Sequence, residues 1–220
     1  MILFNRKLLI VTIFCQILIF SGQSISNPLY LKTDRVKVKF QMNYAASARL
    51  KAWKALLSDK SPRKMTSLLK TVNDFFNRLN YVSDSQLKQR ADVWLTPYEF
   101  LADGGGDCED FAIAKYFTLV IMGAPEEKLR ITYVMIHSRN LAHMVLTYYP
   151  TPNSEPYILD NLTNKILKAS ERSDLVPVYS FNRGKSWLND RIGRSREYGS
   201  PSDLEKWRSL LYRLKLEEEN

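Results

Sequence analysis

At 220 residues, with 45% hydrophobic and 25% charged side chains, the chain is long and apolar enough for one domain with a substantial core. With only 8 Gly and 9 Pro, it is not a disordered, collagenous or low-complexity polypeptide. A net charge of +9 leaves nucleic acid, an anionic membrane and an acidic protein open as partners, because charge alone selects none of them.

Near the start of the chain Arg6 and Lys7 precede thirteen uncharged residues, Leu8 to Phe20, and then the small and polar stretch Ser21 to Ser26. This order reads as a secretory signal peptide over residues 1–24, cleaved near residues 22–26 with Gly22 and Ser24 as the best small residues. A membrane anchor is the alternative, but thirteen helical residues cover only about 20 Å of a ~30 Å hydrocarbon core. Cleavage removes Arg6, Lys7 and no acid, taking the balance from +9 to +7. It also removes Cys15. Cys108 is then a lone thiol in an exported protein, which excludes an intramolecular disulfide.

Residues 27–220 show no repeat or long linker and read as a single domain. After an alternating stretch (Val36, Val38, Phe40), Ala45, Ala48, Leu50, Trp53, Leu56 and Leu57 predict a helix near 43–58. Ser61 and Pro62 interrupt it, and Leu68, Leu69, Val72, Phe75, Phe76 and Leu79 predict a second amphipathic helix. Residues 110–122 are apolar nearly all round and stop at Gly123, as a buried helix does. Three strand-like runs follow, Leu129–Ile136, Ala142–Tyr149 and Pro156–Asp160, which predict a meander. Ser200 and Pro201 supply the start of a last helix carrying Leu204, Trp207, Leu210, Leu211 and Leu214. Helices first, then a buried helix, then strands favour an α+β fold over a parallel βαβ one.

The run Gly104-Gly105-Gly106-Asp107-Cys108-Glu109-Asp110 puts the lone thiol at the start of the buried helix. Free N–H groups and the helix dipole there stabilise a thiolate, and glycines permit tight turns and close approach of a substrate. The alternative is an inert buried cysteine with the acids as helix caps. A thiol nucleophile needs a base, and there are two histidines. His143 lies inside a strand-like run, whereas His137 falls at a strand end beside Ser138 and Arg139. Asp160 closes the next run, so Cys108, His143 and Asp160 fit nucleophile, base and orienting carboxylate. Each of the last two also has a structural alternative, a packed histidine or a turn-capping aspartate.

Together, Gly106–Tyr116, Ala142–Tyr149 and Leu159–Leu162 resemble the LapG family of periplasmic bacterial transglutaminase-like cysteine proteases. Supporting stretches are Val72–Asn77, Trp94–Phe100 and Asp174–Asn182, and the likeness spans roughly residues 40–190 with no departure at a triad position. The resemblance implies a papain-like or transglutaminase-like core with N-terminal helices, a central helix carrying the cysteine and an antiparallel meander. It implies a Ca2+-dependent endopeptidase that cuts the N-terminal region of a large surface adhesin and disperses biofilm. It implies too an inner-membrane cyclic di-GMP receptor whose periplasmic domain inhibits the protease. Carboxylates beside a thiol oppose its ionisation, so a Ca2+ ion held by Asp107 and Glu109, with Asp110 as a third ligand, would relieve them. Trp94 is a candidate second oxyanion donor, although a core role suits a buried aromatic better.

No nucleotide or nucleic-acid contact is expected, since Gly104–Gly106 lacks the Lys and Ser/Thr of a phosphate-binding loop. Two other functions compete: an acyltransferase that passes the same thioester to an amine, and a non-enzymatic periplasmic module gripping an acidic partner. The second would use Arg183, Lys185, Arg191, Arg194 and Arg196, which otherwise read as a solvated loop.

Overall fold

The structure, a computed structural model, describes residues 44–61, 63–83, 93–189 and 195–219, all within the unit Gln41–Asn220. The signal-like segment and the alternating Val36–Phe40 stretch lie outside the described residues. None of the described helices is long and apolar enough to cross a membrane.

Helix α1 (Tyr44–Ser58) buries Ala46 and Leu50, and its Trp53 Nε1–H donates to Thr118 Oγ1 at 2.9 Å. Helix α2 (Met65–Phe76) buries the stripe Leu68, Leu69, Val72, Asn73 and Phe76, and ends before the expected Leu79. The two-residue strand β1 (Asn80–Tyr81) follows. Helix α3 (Pro97–Asp103) was not expected from the hydrophobic pattern, which is too short to show a period. Its signal is chemical: Thr96 and Glu99 form a capping box, with Pro97 at the first helical position. Gly104, at φ 84°, ends α3 in the left-handed conformation that favours glycine. Strand β2 (Gly105–Gly106) then pairs in parallel with β1.

Helix α4 (Cys108–Ile121) begins at the thiol itself, two residues earlier than the apolar run suggests. Every residue from Asp110 to Leu119 is buried, in keeping with its apolar circumference. It lies on a seven-stranded antiparallel sheet built from β3 (Leu129–Ile136), β4 (Leu141–Tyr148), β5 (Tyr157–Leu159), β6 (Leu167–Lys168), β7 (Leu175–Phe181), β8 (Ser186–Asn189) and β9 (Ser195–Gly199). The order β6-β5-β4-β3-β7-β8-β9 extends the expected meander on one side of β3 and adds three strands on the other. Of the added strands, β7 was hidden by Pro177, which sits opposite Val134 where the β3–β7 register shifts, and β8 and β9 by their short length.

Leu129, Ile131, Leu146, Leu159 and Phe181 join the helices in the main core, while Val134, Val145, Ile158 and Leu175 form a smaller cluster. Ser200 caps a single 3-10 turn (Pro201–Asp203), and helix α5 (Glu205–Glu218) starts after it. Trp207 of α5 is 1% exposed and packs its ring against Phe117 and Phe181, with centroids 5.6 and 5.1 Å away. Truncating an aromatic packed like this costs about 3–5 kcal/mol. The result is an α+β fold whose helices bring the N-terminus of α4 against the sheet.

Candidate active site

Helix α4 starts in extended backbone at Asp107, and Asp107 and Asp110 form a capping box. The Asp110 carboxylate is fully buried and accepts two backbone N–H groups, from Asp107 at 3.1 Å and from Leu95 at 2.8 Å. It therefore fastens the chain before α3 to the start of α4. Gly106 is needed for this contact, because a Cβ there would stand 2.2 Å from Asp110 Oδ2. Gly106 thus makes room for the protein's own carboxylate, while Gly105 lies against the Asn80 carbonyl and Gly104 against Arg49, reasons the sequence did not reveal.

Cys108 occupies the first turn of α4, half-buried. Its thiol donates to Glu109 Oε2 at 3.2 Å and receives the backbone N–H of Met144, the residue after His143. Burial pushes the thiol pKa well up, and the charge and hydrogen bond of Glu109 push it further, with a smaller push from Asp107; the Met144 N–H opposes them. The expected lowering by the helix terminus is outweighed, because two carboxylates and burial act at shorter range than the dipole.

His143 is 4% exposed on β4, and its Nε2 lies 2.8 Å from Asp160 Oδ1. Burial works to raise the Asp160 pKa, but the hydrogen bond and charge of His143, the Leu162 N–H and Arg172 together hold it at about 2. An ionised carboxylate only accepts, so Nε2 carries the proton and Nδ1 is left as the imidazole's basic nitrogen. Asp160 Oδ1 also accepts the Leu162 N–H at 3.0 Å, so a turn-capping contact and the bond to His143 coexist on one oxygen. Arg172 Nη1 donates to Asp160 Oδ2 at 2.8 Å, and Asn77 Nδ2 donates to the Asp160 carbonyl at 2.8 Å. His137 is exposed in the 3-10 turn after β3, as its position predicted.

Three further groups at the site were missed by the sequence reading. Arg172 stands in a polar stretch with no hydrophobic period to fix its place, and Asp174 only opens the family-like stretch Asp174–Asn182. Lys115, two turns along α4 from Cys108, is 1% exposed, and burial lowers its pKa to about 7 against the opposing pull of Asp160. A single cation in an otherwise apolar helix was the available signal. Trp94 is a core residue, stacked 5.7 Å from Phe181 and 6% exposed. In the basic cluster, Arg183 approaches Glu126 at 3.6 Å and Lys185 pairs with Glu197 at 3.0 Å, while Arg191 and Arg194 lie outside the described residues.

The expected Ca2+ ligands are unequal. Asp110 already serves two backbone donors. Asp107 accepts a backbone N–H in the capping box, but its buried Oδ1 has no hydrogen-bond partner among the described residues, and Glu109 accepts the thiol whose ionisation it opposes. Among the described residues, no three His, Cys, Asp or Glu side chains gather around one metal-sized point. Asp107 and Glu109 fit part of a hard-cation shell that backbone carbonyls and water must complete.

The sequence profile of the bacterial transglutaminase-like cysteine proteinases matches residues 36–189. The chain belongs to this family. Calcium-bound LapG of Legionella pneumophila is 48% identical, with a TM-score of 0.69 over 78% of this chain and 92% of that one. The EGTA-treated form of the same LapG is 49% identical, with a TM-score of 0.69 over 76% of this chain and 89% of that one. A comparison with curated proteins finds no match. As a transglutaminase-like cysteine protease, the chain has the α+β fold expected of it, and Cys108 is the lone cysteine among the described residues.

Proposed function

We propose that this protease is a periplasmic, Ca2+-dependent endopeptidase that uses a Cys108-His143-Asp160 triad to cleave the N-terminal region of a large surface adhesin, dispersing biofilm. The observation that carries the triad is the 2.8 Å bond between His143 and an ionised Asp160, on the strand whose Met144 N–H touches the Cys108 sulfur. His143 Nδ1 takes the thiol proton, and the thiolate attacks the peptide carbonyl. Collapse of the tetrahedral adduct breaks the C–N bond as the imidazolium protonates the leaving amine. Water, deprotonated by His143, then hydrolyses the thioester and restores the thiol. Asp160 holds the proton on Nε2 and stabilises the imidazolium, and the Cys108 N–H at the helix start is one oxyanion donor.

Support for Ca2+ comes from the calcium-bound state of the LapG relative and from the buried Asp107 Oδ1. A bound Ca2+ would offset the charges of Asp107 and Glu109 that keep the thiol protonated. The adhesin substrate, the export by a signal peptide and the inhibition by an inner-membrane cyclic di-GMP receptor rest on the family resemblance of the motifs around Cys108, His143 and Asp160. In that scheme the nucleotide binds the receptor and not this chain.

The test is incubation of the mature protein with the N-terminal region of a candidate adhesin, with and without an amine donor and with and without a chelator. Cleavage that is lost in Cys108→Ala, lost on chelation and restored by Ca2+ is expected. Amide formation without cleavage would replace the endopeptidase by an acyltransferase, and full activity in thoroughly chelated protein would remove the metal.

A further inference from the structure

Asp160 is held from more sides than orientation of His143 requires. One oxygen takes His143 Nε2 and the Leu162 N–H, and the other takes Arg172 Nη1. Arg172 is itself 8% exposed, and its two remaining edges grip Asp174 in a fork: Nε to Oδ1 and Nη2 to Oδ2, both 2.9 Å. The fork is anchored by backbone as well. The Arg172 N–H donates to the Ala169 carbonyl, the Arg172 carbonyl accepts the Leu175 N–H, and the Asp174 carbonyl accepts the His137 N–H at 2.9 Å. His137 starts the turn that leads into β4 and His143. The chain His143–Asp160–Arg172–Asp174 therefore alternates acceptor and donor and closes back on the loop that introduces the histidine.

We propose that Arg172 is a positioning residue of the catalytic machinery, acting through Asp160 to fix the orientation and charge of the group behind His143. This rests on the triad reading above. A carboxylate bonded only through Oδ1 can rotate about its Cβ–Cγ bond and carry the imidazole with it. Pinning Oδ2 with a guanidinium, itself fixed by Asp174, removes that freedom. A misplacement of about 1 Å at a reacting group costs as much as 100-fold in rate. Arginine suits this place because its planar fork makes two directed contacts at once, which a lysine ammonium cannot. The titratable and charged groups around Asp160 are His143 from β4, Lys115 from α4, Arg172, and Asp174 across the Arg172 fork. Among the described residues no hydrogen bond joins Lys115 to Asp160, so it does not duplicate the contact of Arg172; its Nζ stands 5.8 Å from the centroid of the Phe111 ring.

The experiment compares Arg172→Gln, Arg172→Lys and Asp174→Asn in the full mature chain. It reads kcat and KM on a cleavable peptide, and the titration of the Asp160 carboxyl by carbon NMR. Arg172→Gln should lower kcat about 10- to 100-fold with KM nearly unchanged, and should raise the Asp160 midpoint by about one unit or more. Arg172→Lys keeps the charge and should restore the midpoint while recovering only part of kcat. Asp174 is half-exposed, so Asp174→Asn should fold and show a smaller loss of kcat in the same direction. A folded Arg172→Gln with unchanged kcat and midpoint would overturn the proposal, as would a loss of activity that merely follows the folded fraction. If the wild type cleaves nothing, the triad reading fails, yet the Asp160 titration still reports whether Arg172 controls that carboxylate.

Discussion

The two ends of the site are prepared differently. At Asp160, a buried carboxylate is matched by His143, Arg172 and a backbone N–H, so its charge persists down to about pH 2. At Cys108, a half-buried thiol faces Glu109 and Asp107, and every short-range group except the Met144 N–H favours the protonated form. The charge at the Asp160 end is matched within the protein itself, whereas a charge at the Cys108 end is not. Under the proposed Ca2+ dependence that asymmetry has a use: the His143–Asp160 pair stands ready while thiolate formation waits on the neutralisation of Asp107 and Glu109.

The largest effect expected is at the Cys108 end. Cys108→Ala should reduce kcat/KM by about 10⁴-fold or more, with an unchanged thermal melt. Persisting cleavage in the pure variant would place the nucleophile elsewhere. The same end can be read without a substrate. In chelated protein, iodoacetamide should alkylate Cys108 slowly at pH 8, and Ca2+ should accelerate it; equal rates would mean that the carboxylates are not what restrains the thiol.

Asp160→Asn attacks the matched end and should lower kcat about 10²- to 10⁴-fold by releasing the His143 tautomer. It also tests the charge directly. The folded pKa of Asp160 lies at about 2, below its ordinary 3.8, so its stabilisation is present above about pH 4 and is lost as pH falls towards 2. The stability gap between wild type and variant should therefore close over that window in acid denaturation. A gap that stays constant with pH would show that Asp160 contributes through packing instead of charge.

Lys115 is buried on α4 within electrostatic reach of Asp160, and its effect is on stability. Burial depresses its pKa from 10.5 to about 7, so the cost of burying the ammonium is fully present below pH 7 and fades as pH rises towards 10.5. Lys115→Met should raise stability by on the order of a few kcal/mol at pH 6, and the gain should shrink in alkaline solution. A variant less stable than wild type at pH 6 would mean that attraction to Asp160 outweighs burial, making Lys115 a second support of the Asp160 end.

The same asymmetry governs what the sequence could reveal. The places of Cys108, His143 and Asp160 in the fold were legible because each lies in or beside an apolar run whose period fixes it, and α1, α4, β3 and β4 follow those runs nearly residue for residue. Arg172 was not, since it reaches Asp160 from a polar turn whose course depends on contacts with the loop at His137. Strands β7 to β9 were obscured by Pro177 and by short length, and α3 by having too few residues for a period, even though its Thr96-Pro97-x-Glu99 start was readable. Periodicity reports burial along one element; it is silent about groups that meet through turns.

Gly106→Ala should give the smallest loss and tests whether the nucleophile end depends on its cap. The new methyl would meet Asp110 Oδ2 at 2.2 Å and its Cβ at 2.9 Å, and the carboxylate cannot retreat without releasing the N–H groups of Asp107 and Leu95. Overpacking of this kind costs about 1–3 kcal/mol, measurable as a lower urea midpoint with an unchanged slope. Gly184→Ala is the control, because nothing lies within 4 Å of its added Cβ, and it should stay within about 0.5 kcal/mol of wild type. In Gly106→Ala the Asp160 carboxyl should titrate as in the wild type, while alkylation of Cys108 changes with the displaced helix start. If instead both ends change together, the cap and the His143–Asp160 pair form one cooperative unit, and the division between a matched and an unmatched end does not hold.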